Sequence, residues 1–298
     1  MAEKRKYNPI RIQQPKLEYE GYHFHHNSTY KDTILQDCLK TQKWKQLLAL
    51  DEESSFNVEC VIKNNDTKAV IFIDKFLTES IMNKINEPLT MFVDGTFATV
   101  PQLKNKNCQL WTILIRYNNR TFPIVYAIMK NKNTEDYIEI LKQITNTVNI
   151  KPVTIISDFE RAERKALQVV FPCAKIIGCF FHYSQALVRK ADKCGIIKGK
   201  EKELGWGLIK LLKCLAFLPE TYIEEGFQLI HGIIFHDCKN LKPFIQYYKE
   251  TWINSFKPNS FCVYGEKYRT NNVTERHNRE LKENLKKHST IVKFLGTT

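Results

Sequence analysis

Three carboxylates stand where their types and spacing could do chemistry together. Asp94 sits in MFVDGTFATV, where Met91, Val93, Gly95 and Phe97 alternate with Phe92, Asp94 and Thr96, the period of a strand. A carboxylate in a mostly buried strand is costly unless it is paired or holds a cation. Asp158 ends the β-branched run VTIISD, and Glu275 lies in TNNVTERHNRELKENLKKH, a charged stretch with helical character. Two aspartates at the same height on neighbouring strands repel unless a cation lies between them. Oxygen-rich sites of this kind suit Mg²⁺ or Mn²⁺, and a pair of such ions can clamp both oxygens of an in-line phosphoryl displacement. Glu275, on a helix packed against those strands, would complete the site.

Each residue also has a purely structural reading. Ser157 and Glu160 form a capping-box pattern around Asp158, which could cap the helix FERAERKALQVVF. Asn272 could cap the last helix with Glu275 folding back, or Glu275 could pair with Arg279 one turn on. Asp94 could be the partner of Lys104 or Arg116 on a neighbouring strand. Cys179 and His182 form C-F-F-H at the end of another strand. They read as half a zinc site without a second half, as a buried thiol with a helix-start histidine, or as a motif that brings His182 to the carboxylates.

The elements that must position these residues follow from periodicity. KAVIFID reads as a strand, KFLTESIMNKINE as a helix, and LTMFVDGTFATV as a strand. CQLWTILIRY and RTFPIVYAIMK are two more strands joined by a tight turn at Asn118-Asn119. TEDYIEILKQITNTV is an amphipathic helix with Tyr137, Ile140, Leu141 and Ile144 on one face. There follow the strand VTIISD, the helix FERAERKALQVVF, the strand AKIIGCFF and the helix HYSQALVRKADKCG, ending at Gly195. Residues 196–260 are helical and leucine-rich, and the last segment is a single helix. The order predicts an α/β mixed sheet of three antiparallel hairpin strands plus parallel strands, with an all-helical insertion before the last helix. The strands of Asp94 and Asp158 should then be neighbours. Residues 1–67 read as a basic arm followed by LEYEGYHFHHNSTYKDTILQDCLK, and residues 68–298 as the main domain.

Composition sets the setting. The 298 residues carry 43% hydrophobic and 26% charged residues, within the range of a globular protein. LGWGLIKLLKCLAFL is broken by Lys210 and Lys213, so no membrane span is expected. Nine cysteines without a CxxC pair argue for reduced thiols in an intracellular compartment. The formal net charge of +13 points to a polyanion, with nucleic acid as the first expectation. Basic stretches at 186–214, with Arg189, Lys190 and Lys193, and at 257–293, with Arg276, Arg279 and Lys282, are candidates to hold a DNA backbone.

From about residue 68 to residue 288 the chain resembles the transposase domain of Mutator-like elements, the MULE family. The resemblance rests on FVDGTF, ILIRYNNRTFPIVYAIM, ISDFERA, GCFFHYSQAL and TNNVTERHNRELK, in that order and spacing. It implies a ribonuclease-H-like fold with a helical insertion before the last catalytic helix. It further implies DNA cutting and joining by an Asp-Asp-Glu triad, with catalytic and metal-binding roles for Asp94, Asp158 and Glu275. Cys179 and His182 match the family's cysteine-x-x-histidine motif, with His182 near the catalytic group. The cofactor expected is Mg²⁺ or Mn²⁺ and not zinc. The partner expected is double-stranded DNA, in the nucleus, with a homo-oligomer left open. The segment carrying His23, His25, His26 and Cys38 is similar to the start of a FLYWCH-type zinc finger, without its second ligand pair. A C-terminal zinc motif, frequent in longer transposases, has no counterpart here. The alternative expectation is therefore an inactive, truncated or host-adopted copy that acts as a nuclear DNA-binding or regulatory protein. A free-standing nuclease of the same fold is a third.

Overall fold

The computed structural model describes residues 56–63, 66–97, 108–199, 202–237 and 239–284. Lys104, the basic arm and the FLYWCH-like segment lie outside the described residues. Among the described residues seven strands form one sheet: β1 (Phe56–Lys63), β2 (Asp66–Asp74), β3 (Thr90–Thr96), β4 (Gln109–Tyr117), β5 (Arg120–Met129), β6 (Thr154–Ser157) and β7 (Lys175–Gly178). Their spatial order is β1-β2-β5-β4-β3-β6-β7. The first five pair antiparallel, while β3–β6 and β6–β7 are parallel. The antiparallel part is thus wider than the three strands read from periodicity. The run FNVECVIK, which was not read as a strand, pairs along β2 and brings the sheet upstream of residue 68.

Local chemistry accounts for the connections. Asn118 and Asn119 both hold positive φ (47° and 59°), the backbone that a two-residue hairpin between β4 and β5 requires. Asp74 accepts a hydrogen bond from the Leu77 N–H and caps α1 (Lys75–Met82). Asn133 does the same for α2 (Thr134–Thr147) through the Asp136 N–H. Helix α3 (Arg161–Val170) joins β6 to β7. Helix α4 (Phe180–Lys193) starts two residues earlier than expected, because the strand stops at Gly178 and Cys179 takes the turn.

Strand alternation divides the interior. Met91, Val93, Trp111, Ile113 and Ile115 point to one face, where Tyr137, Ile140, Leu141 and Ile144 of α2 and Ala166 and Leu167 of α3 cover them. Phe92, Leu114 and Ile156 point to the other, under Tyr268 and Val273. Asp94 shares that second face with Phe92. A separate core lies between α4, α5 (Lys202–Leu215), α6 (Glu220–Asp237), α7 (Lys242–Tyr248), the π-helical segment Lys249–Phe256 and the short turn Pro258–Ser260. Its centre is Tyr183, whose hydroxyl donates to the Leu212 carbonyl (2.7 Å) and meets the Tyr248 hydroxyl (2.8 Å), while its ring stacks on Phe261. Ile177 of β7 joins this core to the sheet. The final helix, α8 (Asn272–Asn284), returns to lie on β3 and β4.

Candidate functional site

The adjacency of β3 and β6 brings Asp94 and Asp158 to the same end of the sheet. Phe92 is level with Ile156, so each aspartate lies two residues beyond that pair. Asp94 is only 7% exposed and faces α8. Asn278 of α8 donates its amide to Asp94 Oδ2 at 2.7 Å. Neither Arg116 nor any other described cation takes that place: the Arg116 guanidinium lies over the Tyr268 ring and donates to Thr121.

Asp158 does not cap α3. The residue at the cap position is Glu160, without a side-chain cap bond, and the Ser157 hydroxyl donates to the Asp158 carbonyl, so the capping box does not form. Asp158 Oδ1 instead rests against His182 Nδ1, and His182 Nε2 lies 3.3 Å from Glu275 Oε1. The imidazole therefore stands between the second aspartate and the glutamate. Both contacts join an acid to the imidazole as a charge pair.

Electrostatics ties the four groups together. Burial, then repulsion from Asp158, pushes the Asp94 carboxyl up to about 7, against the pull of His182 and the Asn278 amide. Burial also raises Glu275, with His182 opposing. For His182, burial disfavours the cation, but Asp158 and the Cys179 sulfur outweigh it and hold the imidazole protonated up to about 10. The resting site is thus a cluster of acids around one imidazolium.

Two asparagines lock α8 onto β3. Asn271 donates its side-chain amide to the Val93 carbonyl (2.6 Å), and its backbone N–H donates to Cys179 Sγ (3.2 Å). Asn278 holds Asp94 as above. His277 meets the Tyr126 hydroxyl at 2.8 Å. Cys179 therefore anchors the start of the glutamate helix while His182 reaches the carboxylates. Periodicity did not single out Asn271 and Asn278, although a signal was present. Asn271, Thr274, Asn278 and Leu281 form one buried helix face that is mostly polar, which needs polar partners opposite. Replacing Asn278 by Ala should leave Asp94 Oδ2 without its donor. We expect a stability loss of about 1–3 kcal/mol in urea denaturation; an unchanged midpoint would show that the contact contributes nothing.

A second acid lies just behind the site. Glu163 of α3 is 2% exposed and accepts the Trp111 indole N–H at 2.8 Å, while its other oxygen has no partner. Burial, then Asp158, raises its carboxyl to about 8. The folded protein holds this proton where the unfolded chain has lost it, so Glu163 costs stability as pH rises from its unfolded value of 4.5 through 8. Glu163→Gln keeps the acceptor for Trp111 and removes the titration. Thermal melts should coincide with wild type near pH 4 and exceed it at pH 9. Equal melts at both pH values would place the proton elsewhere.

The donor set suits a divalent cation. Asp158 Oδ1 and Glu275 Oε1 converge on the two nitrogens of one imidazole, and Asp94 lies within their field. Asp158, Cys179 Sγ and His182 also place three ligand atoms within 4.8 Å of one another. In that softer set Cys179 Sγ also accepts the Asn271 backbone N–H, and His182 would have to give up a proton to ligate. Of the basic residues read from sequence, Arg189 and Lys193 of α4 and Arg276, Arg279 and Lys282 of α8 are exposed, and Arg276 pairs with Glu280. Lys190 lies over the Tyr247 ring. Both helices carry a site residue, His182 on α4 and Glu275 on α8. Among the described residues no helix is long and apolar enough to cross a membrane.

No match to the chain was found among curated proteins. Residues 90–186, which run from β3 into α4 and contain Asp94, Asp158, Cys179 and His182, match the family model of the MULE transposase domain, so the chain is related to the MULE transposases.

Proposed function

We propose that this chain is a DNA transposase of the Asp-Asp-Glu type, built on a ribonuclease-H-like sheet, that cleaves and rejoins phosphodiesters with Mg²⁺ or Mn²⁺. The observation that carries the reading is the convergence of Asp158 and Glu275 on the two ring nitrogens of His182, beside an Asp94 whose charge both acids oppose. Asp94, Asp158 and Glu275 would hold the metal. When bound, it supplies activation of water or a DNA 3′-hydroxyl and stabilisation of the leaving 3′-oxygen. Asn278 fixes the Asp94 carboxylate, and Asn271 with Cys179 fixes the helix of Glu275. His182 orients Asp158 and Glu275 and places a positive charge where a phosphate would approach. Arg189, Lys190, Lys193, Arg276, Arg279 and Lys282 would track the DNA backbone on α4 and α8. Chromosomal DNA as the substrate would put the protein in the nucleus.

One observation favours a second reading, a non-catalytic DNA-binding or regulatory protein. The His182 imidazolium already compensates Asp158 and Glu275, as a metal would. The deciding experiment incubates the purified chain with supercoiled plasmid and with linear duplex, in Mg²⁺, Mn²⁺ or EDTA. Metal-dependent nicking and strand joining support the transposase. Nicking without joining indicates a nuclease, and retention of DNA without nicking supports the regulatory reading.

A further inference from the structure

A cleft of about 570 Å³ lies between α3, the edge strand β7 and the π-helical segment, with no lining residue from α4 or α8. Arg161, Arg164, Lys165 and Lys175 line it together with Ser255 and Asn259. Glu220 is the acid among the lining residues, and Lys175 is committed to Glu266 at 2.6 Å.

Arg164 is the unusual member. Its guanidinium donates to the Ser157 hydroxyl (3.0 Å) and to the Ile176 and Ser260 carbonyls (3.2 and 3.5 Å), and it forms no ion pair with a described residue. A largely buried cation held by neutral acceptors is costly and leaves room for an anion. The adjacent Glu163 offers little compensation at neutral pH, since its carboxyl keeps its proton up to about 8, and Asp158, which also favours the Arg164 cation, is already closed on His182. Burial lowers Arg164 to about 10, still above physiological pH, so the positive charge persists.

The cleft also has a direction. Arg161 and Lys165 are about one turn apart on one face of α3, roughly 6 Å along the axis, and Gln168 continues that face. Helix α3 begins three residues after Asp158, so this line of cations starts from the end of the sheet that carries the carboxylates. Arg161 is already braced, donating to Ser255 Oγ at 2.5 Å and lying over the Phe256 ring. A row of cations that leads from a phosphodiester-cutting site suits a polymer of phosphates better than a single one.

We propose that this cleft is a second DNA-backbone site, in which Arg161, Arg164 and Lys165 take phosphates of the strand that leaves the carboxylate cluster. The proposal rests on the reading of the chain as a DNA-processing protein, but not on its being catalytic. Binding of a fluorescein-labelled DNA duplex is followed by anisotropy in EDTA across a KCl series, for wild type, Arg161→Gln/Lys165→Gln and Lys165→Glu. The double variant should bind roughly 10-fold more weakly near 0.1 M salt, and its slope of log K against log salt should fall by about 1–2, as expected for one or two lost phosphate contacts. Lys165→Glu changes an exposed side chain and should weaken binding in the same direction without lowering the melting temperature. Wild-type affinity and slope in both variants would overturn the cleft while leaving the transposase reading intact. Weakened variants in a protein that never cuts DNA would uphold the cleft and remove the catalytic reading. Failure of the wild type to bind DNA would overturn both.

Discussion

Asp94→Asn should abolish metal-dependent DNA cleavage and leave the fold standing. Asparagine is nearly isosteric, and its side-chain oxygen can still accept the Asn278 amide that now binds Asp94 Oδ2. It cannot supply the negative charge that divalent cations need. We expect the cleavage rate to fall by roughly 10²–10³-fold or more, the scale seen when one preorganised electrostatic contact to a reacting centre is lost. Stability should move the other way. The Asp94 carboxyl is pushed up to about 7 by burial and by Asp158, so the charged form is disfavoured in the folded protein. Its removal should leave the melting temperature in EDTA equal to wild type or higher. Had Asp94 been the partner of a buried cation, the same change would strand that cation at a cost of about 3–5 kcal/mol. A variant that melts far below wild type would make Asp94 structural and end the catalytic reading.

His182→Ala should have the opposite signature. The imidazolium is the positive charge between Asp158 and Glu275, and it also lowers the cost of charging Asp94. Without it three acids face one another. We expect a loss of roughly 1–3 kcal/mol in EDTA at neutral pH, at the lower end because the side chains of His182, Asp158 and Glu275 are 23%, 31% and 23% exposed. A divalent cation should restore much of that loss, since it can replace the missing charge. The stabilisation by Mg²⁺ or Mn²⁺, read as the shift in melting temperature, should therefore be larger in His182→Ala than in wild type. Identical melts of the two proteins in EDTA would show that the histidine does not compensate the carboxylates. Together the two variants separate the acids that would hold metal from the cation that stands in their midst.

Much of this protein was legible in order along the chain, for a physical reason. Period-two alternation marks which side of β3 meets the core, so Asp94 could be recognised as an acid on a strand face before any neighbour was known. The Asn118-Asn119 turn fixes the β4–β5 hairpin locally, and the β-branched VTIISD announces a buried strand next to β3. In strand β1 Phe56, Val58 and Cys60 alternate with Asn57 and Glu59, a strand signal that is only five residues long, because it breaks at Val61 and Ile62, where the pairing with β2 also shifts register. The capping box at Ser157–Glu160 was a sound local pattern that tertiary contacts displaced: Arg164 takes the Ser157 hydroxyl as an acceptor, and Tyr137 with Lys132 takes the Glu160 carboxylate. What the sequence determined by itself is therefore the set of acids, their strands and helix, and the neighbouring of β3 and β6. Which partner each acid faces was decided by the tertiary structure alone. Asn278 for Asp94, the imidazole for Asp158 and Glu275, and Trp111 for Glu163 lie far apart along the chain. Side-chain charge and hydrogen bonding act over a few ångströms of space, and no spacing along the chain encodes such a distance.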